Sequence, residues 1–198
     1  MRCLENNAAG HGGQLGMQFQ SARPDVIRAI NQRWLLKTWN ERRGEQALPT
    51  WQALEGREYA AMSRHLCFFD VVGKSANVRF LMRHHSAWLG EVYGFDCHNQ
   101  YLDEMQSGRF QGALIATYQH VVATRAPVYA SVDIADREGR LVHYERLLLP
   151  FGQDGETVDR ILASLEMVSP DGAFEHRNLV TTNARPASFA LYATIQSA

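Results

Sequence analysis

The alternation of apolar and polar positions divides the chain into helical and extended segments. The clearest helical pattern covers residues 107–125, where apolar side chains recur every three or four positions and Pro127 follows. A second helical pattern opens at Pro24-Asp25 and closes at Gly44. Shorter helices are predicted at 53–65, 86–94 and 101–106.

Five other segments carry the pattern of β-strands. Residues 66–72 and 78–83 flank the turn Gly73-Lys74-Ser75, and both carry the pattern of a hairpin strand. Three more strands are predicted, with turns rich in aspartate and glycine between them, at 128–135, 141–151 and 157–168. This order predicts an α+β fold, in which a five-stranded antiparallel sheet packs helices on one face and an N-terminal helix precedes it.

The same patterns divide the chain into four parts. Residues 1–22 contain four glycines and little apolar periodicity, so we expect a flexible leader there. A flanking helix at 23–47 precedes the sheet domain at 48–168. The structure of the tail, residues 169–198, is left open by its pattern. The side chains of the tail that we expect to dock are Phe189, Leu191, Tyr192 and Ile195.

Composition and charge argue against several classes of protein. With 198 residues, 45% of them hydrophobic, the chain is long enough for one domain with appendages. The 20 basic and 21 acidic residues nearly cancel, which argues against a nucleic-acid-binding surface. No run approaches the roughly 18 apolar residues that cross a bilayer. Three widely spaced cysteines fit neither a disulfide framework nor a zinc finger, so we expect a cytoplasmic protein.

The order of elements and several short motifs resemble the PAS fold, in particular a divergent bacterial family of single-PAS-domain proteins. The residues that carry the resemblance are Trp39 with Ala47-Leu48-Pro49, Phe68-Phe69-Asp70-Val71, Tyr101-Leu102-Asp103-Glu104, Pro127-Val128-Tyr129 and Tyr144-Glu145-Arg146-Leu147-Leu148-Leu149-Pro150. The resemblance implies a sensory or regulatory module that works in signal transduction by binding and conformational change. Because no kinase, cyclase or DNA-binding signature is present, its output would act through a partner or a change of oligomeric state.

Two stretches depart from the family pattern. His84-His85-Ser86 stands where a small apolar turn is usual, and Asn99-Gln100 replaces a usual glycine. Histidine is a common ligand of haem and metals, but neighbouring residues on a strand face opposite ways and no further ligand follows at the required spacing. Cys97 precedes a histidine, unlike the reactive cysteine of flavin-binding light sensors. We therefore predict no cofactor and no metal.

Large side chains on the predicted helices and strands are candidates to line a ligand cavity. They are Phe80, Met82, Trp88, Phe110, Leu114, Tyr118 and Tyr144. A small apolar ligand would fit such a lining. The same side chains are equally suited to fill the interior, because close packing is the default inside a domain. The alternative function is therefore a protein-interaction module with a filled core.

An enzyme is the third alternative. A cone-shaped α+β isomerase or dehydratase would use Asp70 or Asp133 as its base, but that architecture normally places its helices ahead of most of the sheet. No nucleophile elbow, metalloprotease, phosphate-loop or dinucleotide motif occurs in the chain. Glu145-Arg146 and Asp133 are predicted to form an exposed cross-strand ion pair. We assign no catalytic residues.

The N-terminal helix carries a wide apolar stripe, formed by Ile27, Ile30, Trp34, Leu35 and Trp39. Two surfaces compete for this stripe, the protein's own sheet and the same helix of a second chain. Flanking helices of PAS proteins commonly pair with each other. We therefore predict a homodimer through this helix, with a signalling protein or a small apolar ligand as further partners.

Overall fold

In the computed structural model, which describes residues 18–54, 57–74, 77–105, 109–179 and 190–196, seven strands form one sheet. The strands are β1 (Gln20–Ala22), β2 (Leu66–Val72), β3 (Arg79–His85), β4 (Val128–Ala135), β5 (Leu141–Phe151), β6 (Arg160–Val168) and β7 (Ala190–Ile195). Their order across the sheet is β1-β7-β4-β5-β6-β2-β3. Strand β1 runs parallel to β7, and every other neighbouring pair is antiparallel.

The predicted α+β class is confirmed, and the five predicted strands are β2 to β6. Two further strands extend the sheet beyond β4. Strand β7 comes from the predicted tail and pairs Ala193 with Tyr129. Ile195 is buried in the core, Leu191 packs against it and Tyr192 contacts Phe19, as expected for docking side chains of the tail. Strand β1 comes from the end of the predicted leader. Residues 1–17, and Phe189 in the tail, lie outside the described residues.

Within the described ranges, five α-helices accompany the sheet. They are α1 (Ile30–Arg43), α2 (Arg57–Met62), α3 (Ala87–Tyr93), α4 (Leu102–Met105) and α5 (Arg109–Thr124). Helix α1 begins later than its sequence pattern predicts, because Pro24–Val26 forms a separate 3₁₀ turn and Ala29 is extended. It ends as predicted at Gly44, whose φ of 58° favours glycine. Among the described helices, none is long and apolar enough to cross a bilayer.

Helices cover both faces of the sheet, whereas the sequence pattern predicts them on one face, because α1 packs on the sheet that it precedes. We call the face that carries Tyr144, Arg146 and Leu148 of β5 the inner face, and the opposite one the outer face, because side chains alternate along a strand. Helix α5 lies on the inner face, where the ring of Tyr118 is 5.0 Å from that of Phe69. Helix α1 lies on the outer face. This two-sided cover explains why eight consecutive residues of β5, Tyr144 to Phe151, are all buried.

Helix α1 is bound to the outer face by side chains that reach the backbone of the sheet. The Trp39 indole N–H donates to the carbonyl of Pro150 at 2.6 Å, and the Gln32 amide donates to the carbonyl of Ser164 at 3.0 Å. Both side chains are buried. The packing of α1 on its own sheet is therefore part of the fold.

Three residues of the predicted dimer interface are buried within the chain itself. Ile27, Leu35 and Trp39 belong to the core, and Trp34 packs against the core while partly exposed. Ile30 alone of the five is largely exposed, at 75% of its surface. A dimer over this helix would therefore use the side of α1 that carries Ile30, not the whole stripe.

Candidate functional site

An arginine lies buried among tyrosines on the inner face of the sheet. Arg146 of β5 is only 6% exposed, and Tyr144 is two residues before it on the same face. Tyr93 ends α3 and Tyr118 lies in the middle of α5, and both are completely buried. We call these four residues, together with the buried Cys67 of β2, the Arg146 cluster.

The guanidinium of Arg146 makes few of the hydrogen bonds that its N–H groups can donate. Its Nη2 donates a hydrogen bond to the hydroxyl of Tyr144. Its central carbon lies 5.1 Å from the ring centre of Tyr144 and 6.0 Å from that of Tyr118, within reach of cation–π attraction. Among the described residues, neither Nε of Arg146 nor the hydroxyl of Tyr118 has a hydrogen-bond partner.

The other members of the cluster are electrically neutral at physiological pH. Burial raises the pKa of Tyr118 and of Tyr93 well above the usual range, and the nearby Arg146 guanidinium offsets this only in part. Burial also raises the pKa of the Cys67 thiol to about 12. An arginine stays protonated at this pH. The cluster therefore carries one positive charge, and Arg146 forms no ion pair with the described part of the chain.

The structure brings most of the predicted cavity residues together on this face. Phe80, Met82, Leu114, Tyr118 and Tyr144 are all buried, and the Phe80 ring lies 5.2 Å from that of Tyr118.

Two predicted cavity residues stand apart. The partly buried Trp88 of α3 contacts His65, with ring centres 4.9 Å apart, and His176, at 5.8 Å. The side chain of Phe110 lies outside the described part of the structure.

The predicted exposed ion pair is wrong. Arg146 points to the inner face and Glu145, only 5% exposed, to the outer face, because neighbours on a strand alternate and both faces are covered. Asp133 instead lies 2.5 Å from Nδ1 of His143 on the neighbouring strand. The sequence carried a signal for the burial of Arg146. This residue directly precedes the apolar run 147–149, and it lies two positions after Tyr144, on the same face of the strand.

The candidate bases of the enzyme alternative contact separate basic side chains, Asp133 that of His143 and Asp70 those of two arginines. Asp70 of β2 binds Nε of Arg83 at 2.6 Å and Nε of Arg160 at 3.3 Å. Asp133 is on β4, and two strands separate it from β2. The structure therefore does not bring the two carboxylates together.

A second candidate site is an open surface cleft of about 700 Å³ beside α3 and the end of β3. Its lining is charged, and it includes Arg83, His85, Glu91, Asp96 and Arg177. Nε2 of His85 lies 2.8 Å from the Asp96 carboxylate, and Nδ1 lies 2.8 Å from the carbonyl of Ser86.

The adjacent histidines diverge, as the strand pattern predicts. Residue His84 stands opposite Phe68 and contacts its ring, with centres 5.7 Å apart, while His85 stands opposite Cys67. Among the described residues, no group of three or more histidine, cysteine, aspartate or glutamate side chains is arranged to hold a metal ion.

Cys97, and Asn99 at the second departure from the family pattern, are explained by their surroundings and backbone. Cys97 is completely buried, and burial raises the pKa of its thiol to about 12, so it is not a thiolate at neutral pH. Asn99 has a φ of 58°, in the left-handed region that asparagine tolerates better than most residues. Asparagine therefore takes the backbone conformation for which glycine is the usual residue.

Comparison with known proteins connects this architecture to a family. A family model described as a PAS domain matches residues 28–166. The matched segment runs from two residues before α1 to two residues before the end of β6, so it contains both the Arg146 cluster and the helix on the outer face. A search of curated proteins found no match.

Proposed function

Since the chain belongs to the PAS domain family, whose members are typically sensory or signalling modules, we propose that it is a regulatory module whose input site is the Arg146 cluster. A small molecule bound at this cluster changes the position of β5, and α1 on the outer face carries the change to a partner. The proposal includes no covalent chemistry and no catalytic residue.

The observation that carries the proposal is that one strand holds both the cluster and the outer helix. Tyr144 and Arg146 of β5 belong to the cluster on the inner face. The carbonyl of Glu145, between them, accepts a hydrogen bond from Gln32 of α1 at 3.5 Å. The carbonyl of Pro150, further along β5, accepts the bond from Trp39. A shift of the cluster side chains that moves this backbone therefore also moves the acceptors that hold α1.

Removing one hydroxyl from β5 tests this coupling. Tyr144→Phe removes the acceptor of the Arg146 hydrogen bond without removing the ring. We expect faster amide hydrogen exchange in α1, because the backbone that accepts the bonds of Gln32 and Trp39 is less firmly held. Exchange is measured by mass spectrometry on peptides of α1 and of β5.

Tyr93→Phe is the matched control. It also removes one buried hydroxyl from the cluster, but from α3 and not from β5, so α1 is expected to exchange as in the wild type. Unchanged exchange of α1 in Tyr144→Phe, or an equal increase in both variants, would show that β5 does not couple the cluster to this helix.

The protein-interaction module with a filled core remains the second candidate function. Its support is the dense burial of the inner face, where Phe80 is 2% exposed and Met82 and Tyr118 are completely buried. Under this alternative the charged surface cleft beside α3 would bind a protein partner and the cluster would be structural. Native mass spectrometry of the purified protein separates the two, because a retained small molecule supports sensing.

A further inference from the structure

We propose that the Arg146 cluster binds a small monocarboxylate, whose carboxylate group accepts hydrogen bonds from the Arg146 guanidinium and from the hydroxyl of Tyr118. The inference rests on the proposed function, in which this cluster is the input site, and it identifies the chemical class of the ligand. It also changes the sequence-based expectation of a purely apolar ligand.

The unpaired positive charge of Arg146 favours an anionic ligand. A buried ion is costly unless an opposite charge pairs with it, and Arg146 has no such partner among the described residues. Its sequence neighbour Glu145 is on the outer face, and Glu166 stands opposite Glu145 on β6, also on the outer face. An anionic ligand at the cluster would supply the missing negative charge.

The hydrogen-bond donors of the cluster that have no partner match a carboxylate group. Nε and Nη2 form one edge of a guanidinium, and this edge matches the two oxygens of a carboxylate. In Arg146, Nε has no partner and Nη2 uses one of its two protons on Tyr144. The hydroxyl of Tyr118 also has no partner in the described part of the chain, and its raised pKa means that it keeps its proton and donates. Tyr118 is a neighbour of the guanidinium, whose central carbon lies 6.0 Å from its ring centre.

The single positive charge of the Arg146 cluster favours a carboxylate ligand over a phosphate ligand. The cluster carries one positive charge, since its tyrosines and Cys67 are neutral. A monoanion balances this charge, whereas a phosphate dianion would leave a buried negative charge without a partner.

The surroundings of Tyr118 define the rest of the ligand. The rings of Phe69 and Phe80 lie 5.0 and 5.2 Å from its ring, and Met82 is completely buried on the same face. Apart from the hydrogen-bond donors of Arg146 and Tyr118, the surrounding side chains offer a ligand only apolar contacts. The ligand is therefore a monocarboxylate with an apolar or aromatic substituent.

Thermal unfolding of the full chain tests this class of ligand. Sodium acetate, which needs the least room, and sodium benzoate are compared with sodium chloride and with neutral benzamide at matched ionic strength. We expect at least one carboxylate to raise the Tm by about 3–6 °C for each tenfold increase in concentration above its dissociation constant. Chloride and benzamide are expected to leave the Tm unchanged. Absence of a shift with both carboxylates would overturn the proposal.

Two variants show whether the carboxylate binds at this cluster. Arg146→Met removes the charge and keeps the length of the side chain, so it is expected to fold and to lose the shift completely. Tyr118→Phe removes one donor and is expected to weaken binding about tenfold. Equal shifts in the wild type and in Arg146→Met would place binding elsewhere and overturn the proposal. Should Arg146→Met fail to fold, Tyr118→Phe decides alone, and unchanged affinity in that variant overturns the proposal.

The ligand class and the proposed signalling route fail in different ways. If a carboxylate raises the Tm through Arg146 while the hydrogen exchange of α1 stays the same, the ligand class stands and the coupling to α1 is wrong. If neither carboxylate binds but Tyr144→Phe still changes α1, the coupling stands and the ligand class is wrong.

Discussion

The buried carboxylate of Asp136 holds two separate segments of the chain together. Its two oxygens accept hydrogen bonds from the backbone N–H groups of Glu138, Arg140 and Glu175 and from the Arg140 guanidinium, at 2.7 to 3.0 Å. Burial alone would raise the pKa of Asp136, but these donors outweigh it and bring the pKa to about 2. The side chain therefore joins the β4–β5 turn to the segment that follows β6.

The low pKa of Asp136 gives stability that depends on pH. Because the unfolded carboxyl has a pKa of about 4, its contribution is present above about pH 4 and is lost as the pH falls towards 2. Asp136→Asn is expected to lower the free energy of unfolding by about 1–3 kcal/mol at pH 7, and this difference should narrow between pH 4 and pH 2. Urea unfolding at a series of pH values measures it.

Glu138→Gln is the control for this prediction. Glu138 pairs with the same Arg140 at 3.2 Å, but its side chain is 67% exposed, so its loss is expected to change stability little. A difference between Asp136→Asn and wild type that stays constant from pH 7 to pH 2 would contradict the assigned role of the Asp136 charge.

At the scale of elements, α1 belongs to the folded core. Leu35, Leu36 and Trp39 are buried against the outer face, and the indole of Trp39 is bound to the backbone of β5. A truncation that removes α1 would therefore expose this face, and it would not be a clean test of association. Single substitutions in α1 separate packing from assembly.

Trp39→Phe isolates the hydrogen bond that ties α1 to β5. It keeps an aromatic ring but removes the donor, leaving the buried carbonyl of Pro150 without that bond. We expect the free energy of unfolding to fall by about 1–3 kcal/mol. Trp34→Phe is the matched control, because the indole of Trp34 makes no hydrogen bond with the described residues and is only partly buried. Similar losses in the two variants would mean that packing, and not this bond, holds α1.

At the scale of the whole molecule, the exposed side of α1 is the surface that assembly would use. Ile30 is exposed to 75%, the largest exposed fraction among the large apolar side chains of the described residues. Burying such a side chain contributes about 1.5–3 kcal/mol. In a two-fold symmetric dimer, the exposed side of α1 would contact the same side of α1 in the second copy. Ile30 of both protomers would then be buried.

The homodimer remains a prediction, which Ile30→Asp tests. We expect the wild type to be a dimer at tens of micromolar and Ile30→Asp to be a monomer, by light scattering coupled to size exclusion. The variant is expected to keep a cooperative thermal transition, at a Tm lowered only by the loss of association. Leu141→Asp is the control, since Leu141 is also exposed, at 39%, but lies at the start of β5. A monomeric wild type, or a dimer that survives Ile30→Asp, would exclude this surface.

The sequence by itself determined where most of the elements lie. The apolar spacing around Leu114 marks α5, and the extended patterns mark β2 to β6, because the periodicity of a helix or a strand is written in neighbouring residues. Short motifs such as Phe68-Phe69-Asp70-Val71 identified the family, because a motif is also formed by neighbouring residues. Five of the seven predicted cavity residues are buried on one face.

Only the tertiary structure decided which strands pair and which faces are covered. Strand β7 joins β4 across more than fifty residues of chain, and no local pattern specifies that partner. Helix α1 covers Glu145 on the outer face and helix α5 covers Arg146 on the inner face, so both residues are buried where the sequence predicted an exposed ion pair. Burial depends on contacts between distant segments, and it is burial that makes the lone charge of Arg146 a candidate binding site.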